Sequence, residues 1–214
     1  MDDITKVFNN NNTKVFLEKA IVTYSQNRDR HGNLIGVRIL RPWEVKKLLD
    51  AIPKKYHKIQ FEFLLYTGMR YVEAMEIKHR PDLFEGDNIH LTPELIRKPK
   101  CKIKDRYVKL NPVGRKVAEE YFDLKQDLPG HWNAWRDNLK RWAKHAKLDP
   151  QHLSVKTTRK TWESYLVFTY PEKRDAIFIS QGHTALVALK NYINLPFSEH
   201  NKQNMIRYVA GWQG

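Results

Sequence analysis

Residues 66–74 read YTGMRYVEA, a stretch that joins the end of one predicted helix to the start of the next. Gly68 follows a helical pattern over about 54–66 and is a natural stop, because glycine adopts the left-handed conformation without steric cost. Arg70 stands two residues later, at the start of the next helix. Free backbone N–H groups at a helix start, beside a guanidinium, favour an anion such as phosphate. The alternative is an ordinary helix junction with a surface arginine.

The chain has 214 residues and is strongly basic, with 38 lysines and arginines against 24 aspartates and glutamates. The net charge of +14 favours a polyanionic partner, most often a nucleic acid, although a generally basic protein is the alternative. Hydrophobic residues make up 41%, which excludes wholesale disorder. The single cysteine, Cys101, excludes an internal disulfide framework and a thiolate zinc cluster. Neither a membrane-spanning run nor a signal peptide is found, so we expect a soluble, cytoplasmic protein.

The hydrophobic pattern predicts an α+β fold that is mainly helical, with one small antiparallel β-hairpin. Residues 1–37 are expected to form a leader with a short helix and a linker, and residues 38–214 the folded domain. The two strands are predicted at 88–97 and 102–110, around a basic tip. Helices are predicted over 42–52, 54–66, 70–78, 112–124, 131–147, 156–169, 172–181, 184–193 and 198–210.

The predicted 131–147 helix has one apolar and one basic face. The apolar residues recur at helical spacing and are expected in the core; they are Trp132, Trp135, Leu139, Trp142 and Ala146. Trp43 is likewise expected on the apolar side of the first helix. Arg136, Lys140 and Lys144 lie mostly on the other face, where they are expected to contact DNA phosphates or a groove. A merely solvated face is the alternative.

Two further clusters carry charge or nucleophilic groups. Lys156 and Arg159 are three residues apart on a predicted helix, so both cations are expected on the same side. His183 follows the helix-breaking Gly182, and Tyr192 lies nine residues after the histidine. Taken singly, each cluster has an ordinary explanation: a solvated basic face, a capping histidine or a packed tyrosine.

Taken together and in this order, the clusters resemble the catalytic domain of the tyrosine recombinases, the phage-type integrases. The resemblance is carried by the T-G-x-R-x-x-E turn, the K-x-x-R pair, the G-H dipeptide and the tyrosine that follows at the family spacing. A hairpin lies between the first two clusters, as in the family. The stretch RPWEVKKLL at 41–49 is similar to the opening helix of that domain. The resemblance covers about residues 38–210.

The resemblance implies roles for individual residues. Arg70 and Arg159 match the two catalytic arginines, and Glu73 matches the acidic residue that supports the first of them. His183 matches the histidine of the G-H motif, and Tyr192 matches the nucleophile. Cations around a tyrosine lower its pKa from about 10, and guanidiniums bind the oxygens of the phosphate that it attacks.

The family's hairpin lysine and its usual histidine are less simply matched. Lys100 and Lys102 both lie near the expected turn, with Lys98 and Lys104 close by, and either of the first two is a candidate to protonate the departing 5′-oxygen. Lys156 stands where most family members have histidine. A lysine at this position is familiar among integrases of archaeal viruses and plasmids, and it points to such an element as the source. A lysine there favours charge stabilisation and argues against a base.

The resemblance implies a site-specific recombinase that integrates DNA, such as a viral genome, through a 3′-phosphotyrosine intermediate. It implies a double-stranded attachment site as partner, a homo-tetramer on DNA, and no metal or other cofactor. The same chemistry would serve a type IB-like topoisomerase or a dimer resolvase, and a catalytically inactive DNA-binding relative is a further alternative. An RNA-binding domain is disfavoured because no RNA-recognition motif is found.

Both ends of the sequence leave alternatives open. Family members usually carry a DNA-clamping domain before the catalytic one, whereas 37 residues precede Arg38, as in a catalytic fragment or a naturally short enzyme. The apolar residues of the stretch 196–214 are expected either to dock on a neighbouring protomer or to pack on their own domain.

Overall fold

The computed structural model describes residues 38–95, 105–182, 197 and 199–213. These parts of the chain contain no helix that is long and apolar enough to cross a membrane. They form eight α-helices and one two-stranded sheet, in the order α1 (Pro42–Ala51), α2 (Lys55–Thr67), α3 (Tyr71–Ile77), β1 (Asn88–Leu91), β2 (Arg106–Lys109), α4 (Pro112–Asp123), α5 (Trp132–His145), α6 (Thr157–Thr169), α7 (Arg174–Gln181) and α8 (Glu199–Val209).

The expected mainly helical α+β architecture is confirmed, and all eight described helices lie within two residues of their predicted bounds. Local signals explain the agreement, because prolines open α1 and α4 while glycines in the left-handed conformation end α2 and α7. The predicted helix at 184–193 lies outside the described residues.

The strands are shorter than predicted. β1 ends at Leu91, and a 3-10 turn over Pro93–Leu95 replaces the expected extension to residue 97. Proline cannot donate a hydrogen bond to the ladder, which explains why the strand stops before it. β2 begins at Arg106, and residues 96–104, with the candidate hairpin lysines, lie outside the described residues.

The two strands pair antiparallel, and their alternation places one charged residue on the core side. Ile89 lies opposite Val108, and Leu91 opposite Arg106. Ile89, Leu91, Val108 and Arg106 are all buried, whereas Tyr107 points outward. The inward face of β2 therefore carries a guanidinium where a strand normally carries an apolar side chain.

Helix α6 lies at the centre of the domain. It packs against α2, α7 and α8, and its buried residues include Trp162, Tyr165 and Leu166. It also buries Arg159 and Glu163, which are charged. A helix that buries charge among apolar groups needs partners for those charges, and this requirement shapes the site described below.

Trp132, which was expected in the core, and Trp43, which was expected on the apolar side of the first helix, are on the surface, so both predictions were wrong. Trp132 is 47% exposed, because it is the first residue of α5 and lies beyond the buried stripe of that helix. The Arg136 guanidinium lies 5.4 Å from its ring centroid. Trp43 is equally exposed and carries the Lys47 ammonium 5.2 Å from its ring centroid. Cations cover these rings in place of core side chains.

The C-terminal segment packs on its own domain. Met205, Val209 and Trp212 are buried, and the Trp212 indole Nε1 donates to the carbonyl oxygen of Lys109 at 3.1 Å. The Tyr170 hydroxyl donates to the carbonyl oxygen of Val209, also at 3.1 Å. Of the two alternatives for this stretch, the structure adopts self-packing.

The Gly68 turn allows a direct test of the fold. Gly68 has φ +59°, and a Cβ there would lie 2.6 Å from Gln181 Oε1 and 2.7 Å from Trp162 Cδ1. We expect Gly68→Ala to lower the free energy of unfolding by about 2–4 kcal/mol, through left-handed strain plus overpacking. Gly86 is the matched control, because its φ is +69° and nothing lies within 4 Å of a Cβ.

Gly86→Ala is expected to cost only about 1 kcal/mol, from backbone strain alone. Urea denaturation of both variants measures the difference between them. Equal losses would show that Gly68 is needed only for its conformation and that the space around it is not limiting.

Candidate active site around a buried carboxylate

Glu73 and Arg70 form a compact unit at the start of α3. The backbone N–H of Arg70 donates to Glu73 Oε2 at 2.8 Å, and Arg70 Nη1 donates to Glu73 Oε1 at 2.5 Å. A glutamate three residues into a helix commonly accepts from the capping residue in this way. With the spacing R-x-x-E, the glutamate therefore both caps the helix and orients the Arg70 guanidinium. The Arg70 side chain remains 33% exposed.

A second guanidinium reaches the same carboxylate from the sheet. Arg106 Nη2 donates to Glu73 Oε2 at 2.8 Å, and Arg106 Nε donates to the carbonyl oxygen of Ser180 at 3.1 Å. Arg106 is only 6% exposed. Arg106 was not expected from the sequence to belong to the site. The available signal was a basic residue in phase with Val108 on the inward face of β2.

The second predicted catalytic arginine is held by the ends of two helices. Arg159, which is 2% exposed, donates from Nη1 to the carbonyl oxygen of Gly68 at 2.6 Å and from Nη2 to that of Gln181. Arg70 Nη2 donates to the carbonyl oxygen of Gly182 at 3.3 Å. These carbonyls belong to helix ends, which leave acceptors without a partner inside the helix. The ends of α2 and α7 thus meet at the arginines.

The charges of the cluster stabilise one another. Burial alone would raise the pKa of Glu73, but the guanidiniums of Arg106, Arg70 and Arg159 outweigh it and lower that pKa to about 2. Burial lowers the pKa of Arg159 to about 10, and the Glu73 charge opposes this shift. Three guanidiniums around one carboxylate leave an excess of positive charge at neutral pH. Arg70, with 33% of its side chain exposed, is the member of the cluster that is most accessible to an anion from solvent.

Lys156 and Arg159 differ in their surroundings. Lys156 is exposed at the N-cap of α6, whereas Arg159, one turn later, is buried. Lys160 was not singled out from the sequence. Burial, followed by repulsion from Lys156, lowers its pKa to about 8, so it is a titratable cation on α6.

The remaining predicted catalytic residues lie outside the described residues, and their roles stay predictions. They are Lys100, Lys102, His183 and Tyr192. Two described residues close to these segments contact the cluster: Arg106 opens β2, two residues after the segment 96–104, and Gly182 directly precedes His183 in sequence. Within the described ranges, no group of three or more His, Cys, Asp or Glu side chains is placed to hold a metal ion.

The predicted DNA-contacting residues all lie on α5, outside the arginine cluster. Arg136 Nη2 lies 2.9 Å from Asp137 Oδ1, which partly neutralises its charge. Lys144 is exposed and Lys140 is partly exposed, so both ammonium groups are open to a partner. These two lysines are therefore the best candidates on this face of α5 to contact DNA.

The Glu73 cluster predicts a specific dependence of stability on pH. The folded pKa of about 2 lies below the value of about 4.3 for a free glutamate, so the unfolded chain binds more protons between these values. The ionised Glu73 therefore stabilises the fold by about 3 kcal/mol above pH 5, and this contribution is lost as the pH falls towards 2. The Glu73→Gln protein is expected to lack this contribution at every pH, because a glutamine side chain carries no charge.

Urea unfolding at pH 7, 5 and 3 measures this effect. The Glu73→Gln protein should be about 3 kcal/mol less stable at pH 7, and the difference should shrink to about half of that at pH 3, one unit above the folded pKa. Glu119→Gln, an exposed carboxylate on α4, is the control and should follow the parent curve. A constant difference between Glu73→Gln and the parent at all three pH values would contradict the electrostatic origin.

No protein-family model and no curated protein sequence matches this chain. Among solved structures it is similar to the XerA recombinase, with a TM-score of 0.59 and 18% identity over 82% of this chain and 66% of that one. It is also similar to residues 82–397 of the Tn1549 transposon integrase in complex with circular intermediate DNA, with a TM-score of 0.56 and 16% identity over 94% of this chain and 79% of that one.

A third similar structure is the XerH site-specific recombinase bound to its difH substrate before cleavage. Its TM-score is 0.50, with 20% identity over 83% of this chain and 59% of that one. The chain thus spans less than two thirds of the XerA and XerH chains. At these identities the likeness concerns the fold, and the fold of this chain is that of the tyrosine recombinase catalytic domain.

Proposed function

We propose that this protein is a site-specific DNA recombinase of the tyrosine type, which cleaves and rejoins DNA through a 3′-phosphotyrosine. One observation carries the proposal: the buried Glu73 carboxylate orients Arg70 beside Arg159, within the recombinase fold. Both arginines stand at the positions that resemble the catalytic arginines of the family. An exposed guanidinium backed by a buried, positively charged cluster is suited to a phosphodiester.

The proposed reaction is a transfer of the phosphoryl group to the protein. The Tyr192 oxygen forms a bond to phosphorus, and the bond between phosphorus and the 5′-oxygen breaks. Tyr192 releases its hydroxyl proton to solvent, and the departing 5′-oxygen gains one proton from the protein. Lys100 or Lys102 is proposed to supply the proton to the 5′-oxygen, and His183 to assist at the phosphate. Rejoining is the reverse reaction.

The cations of the site have separate tasks in this proposal. Arg70 and Arg159 stabilise the negative charge that develops on the non-bridging oxygens. Lys156, exposed at the start of α6, adds a positive charge near the phosphate. The phosphotyrosine bond conserves the free energy of the broken phosphodiester bond for rejoining, so we propose that the reaction uses no cofactor.

The proposed partner is a double-stranded DNA attachment site, bound by a homo-tetramer. The net charge of +14 supports a DNA partner. The related Tn1549 integrase structure contains circular intermediate DNA, and the XerH structure contains a difH substrate. The lysine at 156 supports the finer proposal that the source is an archaeal virus or plasmid whose genome is integrated. We place the protein with the DNA in the host cytoplasm.

The nucleophile is tested with nicked duplexes that trap a covalent adduct. Because the attachment site is not defined, the duplexes carry a randomised central segment, and adducts that survive SDS are recovered and sequenced. We expect the parent protein to form an adduct in excess EDTA, and Tyr192→Phe to form none while its DNA affinity changes less than about twofold. Tyr56→Phe is the control and should behave as the parent.

Two outcomes would contradict this proposal. An adduct that persists in Tyr192→Phe would assign the nucleophile to another residue. A parent protein that binds DNA and yields no adduct with any duplex would instead indicate a DNA-binding relative without catalytic activity.

The contribution of α5 is tested by the salt dependence of DNA binding. We expect the double variant Lys140→Ala, Lys144→Ala to bind more weakly and to lower the slope of log K against log salt by about 0.9 for each DNA phosphate that it no longer neutralises. Lys46→Ala is the control, because the Lys46 ammonium already pairs with Asp50 at 2.8 Å. An unchanged slope in the double variant would mean that this face of α5 is only solvated.

A further inference from the structure

Arg106 connects three parts of the candidate site, although it was not expected to belong to it. Its guanidinium donates to Glu73 Oε2 at the start of α3 and to the carbonyl oxygen of Ser180 near the end of α7. The side chain itself comes from β2, on the inward side of the sheet. One buried residue therefore joins a strand to two helices.

The turn after α7 is built around the Arg106 side chain. Gly182 has φ +70°, and a Cβ there would lie 2.8 Å from Arg106 Nε and 2.9 Å from Arg106 Cδ. The carbonyl oxygen of the same glycine accepts from Arg70 Nη2 at 3.3 Å. The turn that leads to His183 is therefore bounded by Arg106 on one side and Arg70 on another.

The base of the hairpin is fastened to α7 at two points. Besides the contact of Arg106 with the Ser180 carbonyl, the backbone N–H of Lys109 donates to Ser180 Oγ at 3.3 Å. β2 directly follows the segment 96–104, which carries Lys100 and Lys102. The anchoring of β2 thus limits where that segment rejoins the domain.

Arg106 can hold the Glu73 carboxylate in place while Arg70 binds an anion. Arg70 is the exposed guanidinium, so a phosphate that binds to it competes with Glu73 for its N–H groups. Arg106 is buried and keeps its hold on Oε2, so the carboxylate stays in place when Arg70 turns part of its fork towards an anion. A buried ionic contact of this kind is costly to break from one side only.

We propose that Arg106 is a positioning residue of the recombination site: it fixes the carboxylate that orients Arg70, and it holds the hairpin strand against the turn that precedes His183. This inference rests on the proposed function. Arg106 is buried and is not expected to touch DNA, so it acts through Glu73 and through the backbone of α7.

The test compares Arg106→Met and Arg106→Lys with the parent protein. Three quantities are measured: the titration of the Glu73 carboxyl by NMR without DNA, the rate of adduct formation in a single turnover from pH 5 to 8, and the affinity for DNA. Arg80→Met is the control, because Arg80 is exposed and pairs only with Asp82 among the contacts described. Thermal melting checks that each variant is folded.

Arg106→Met is expected to raise the pKa of Glu73 from about 2, because the principal charge that opposes burial is removed. Arg70, on its own helix, and Arg159, from α6, still face the carboxylate. The cleavage rate should fall about 10- to 100-fold, with DNA affinity within about twofold. The rate should also fall further as the pH drops through the raised Glu73 pKa, whereas no Glu73 titration affects the parent in this range.

Arg106→Lys keeps a positive charge but cannot donate from two fixed nitrogens. Its Glu73 titration should stay close to that of the parent, and its cleavage rate should lie between those of the parent and Arg106→Met. In a Glu73→Gln background, Arg106→Met should add less than about threefold to the loss of rate, because both residues act through one contact. If the methionine variant does not fold, the lysine variant decides: a cleavage rate below that of the parent at unchanged DNA affinity supports the inference, and a parental rate overturns it.

The inference is overturned if Arg106→Met leaves the Glu73 titration unchanged, or if it lowers DNA affinity and leaves the cleavage rate of bound DNA intact. Equal, pH-independent losses of rate in both variants would also overturn it, since they would indicate a purely structural role. If the parent forms no adduct, the proposed function fails, and the Glu73 titration alone then decides whether Arg106 holds the carboxylate.

Discussion

The buried carboxylate of Glu73 is the group on which the arrangement of the domain depends. It is contacted by Arg70 from its own helix and by Arg106 from β2, and it shares the field of Arg159 from α6. Each of these charges would be costly to bury alone, so the three elements are stable only together. The fold and the proposed binding of a phosphate therefore have one electrostatic origin. The same cluster gives the domain its centre and leaves the Arg70 guanidinium facing solvent.

The backbone conformation at two glycines also holds the arginines in place. Gly68 and Gly182 end their helices in the left-handed conformation, with φ +59° and +70°, and their carbonyls accept from Arg159 and Arg70. A side chain at Gly68 would collide with Gln181 and Trp162, and one at Gly182 would collide with Arg106, so the packing around both helix ends requires glycine. This explains why a chain with ordinary helical periodicity can bury Arg159 beside a second guanidinium. The rigid backing of Arg70 follows from the same contacts.

Much of the fold was predictable from the sequence, because helix ends and apolar periodicity are local signals. Arg70, Glu73 and Arg159 were found from their spacing and from the family resemblance, and the structure brings these three together. Arg106 was missed because a single basic residue in a strand normally indicates a solvated position. Its burial depends on Glu73, 33 residues away, which no local pattern reveals. Trp132 was misplaced for a related reason, since periodicity gives the face of a helix but not where packing along it ends.

The most direct test of the account is a crystal structure of the covalent complex trapped on nicked DNA. The account predicts a phosphate joined to Tyr192, with its oxygens about 3 Å from the Arg70 guanidinium, while Glu73 still bridges Arg70 and Arg106. A phosphate joined to another residue and remote from Arg70, or one that binds where Glu73 has separated from both arginines, would contradict it.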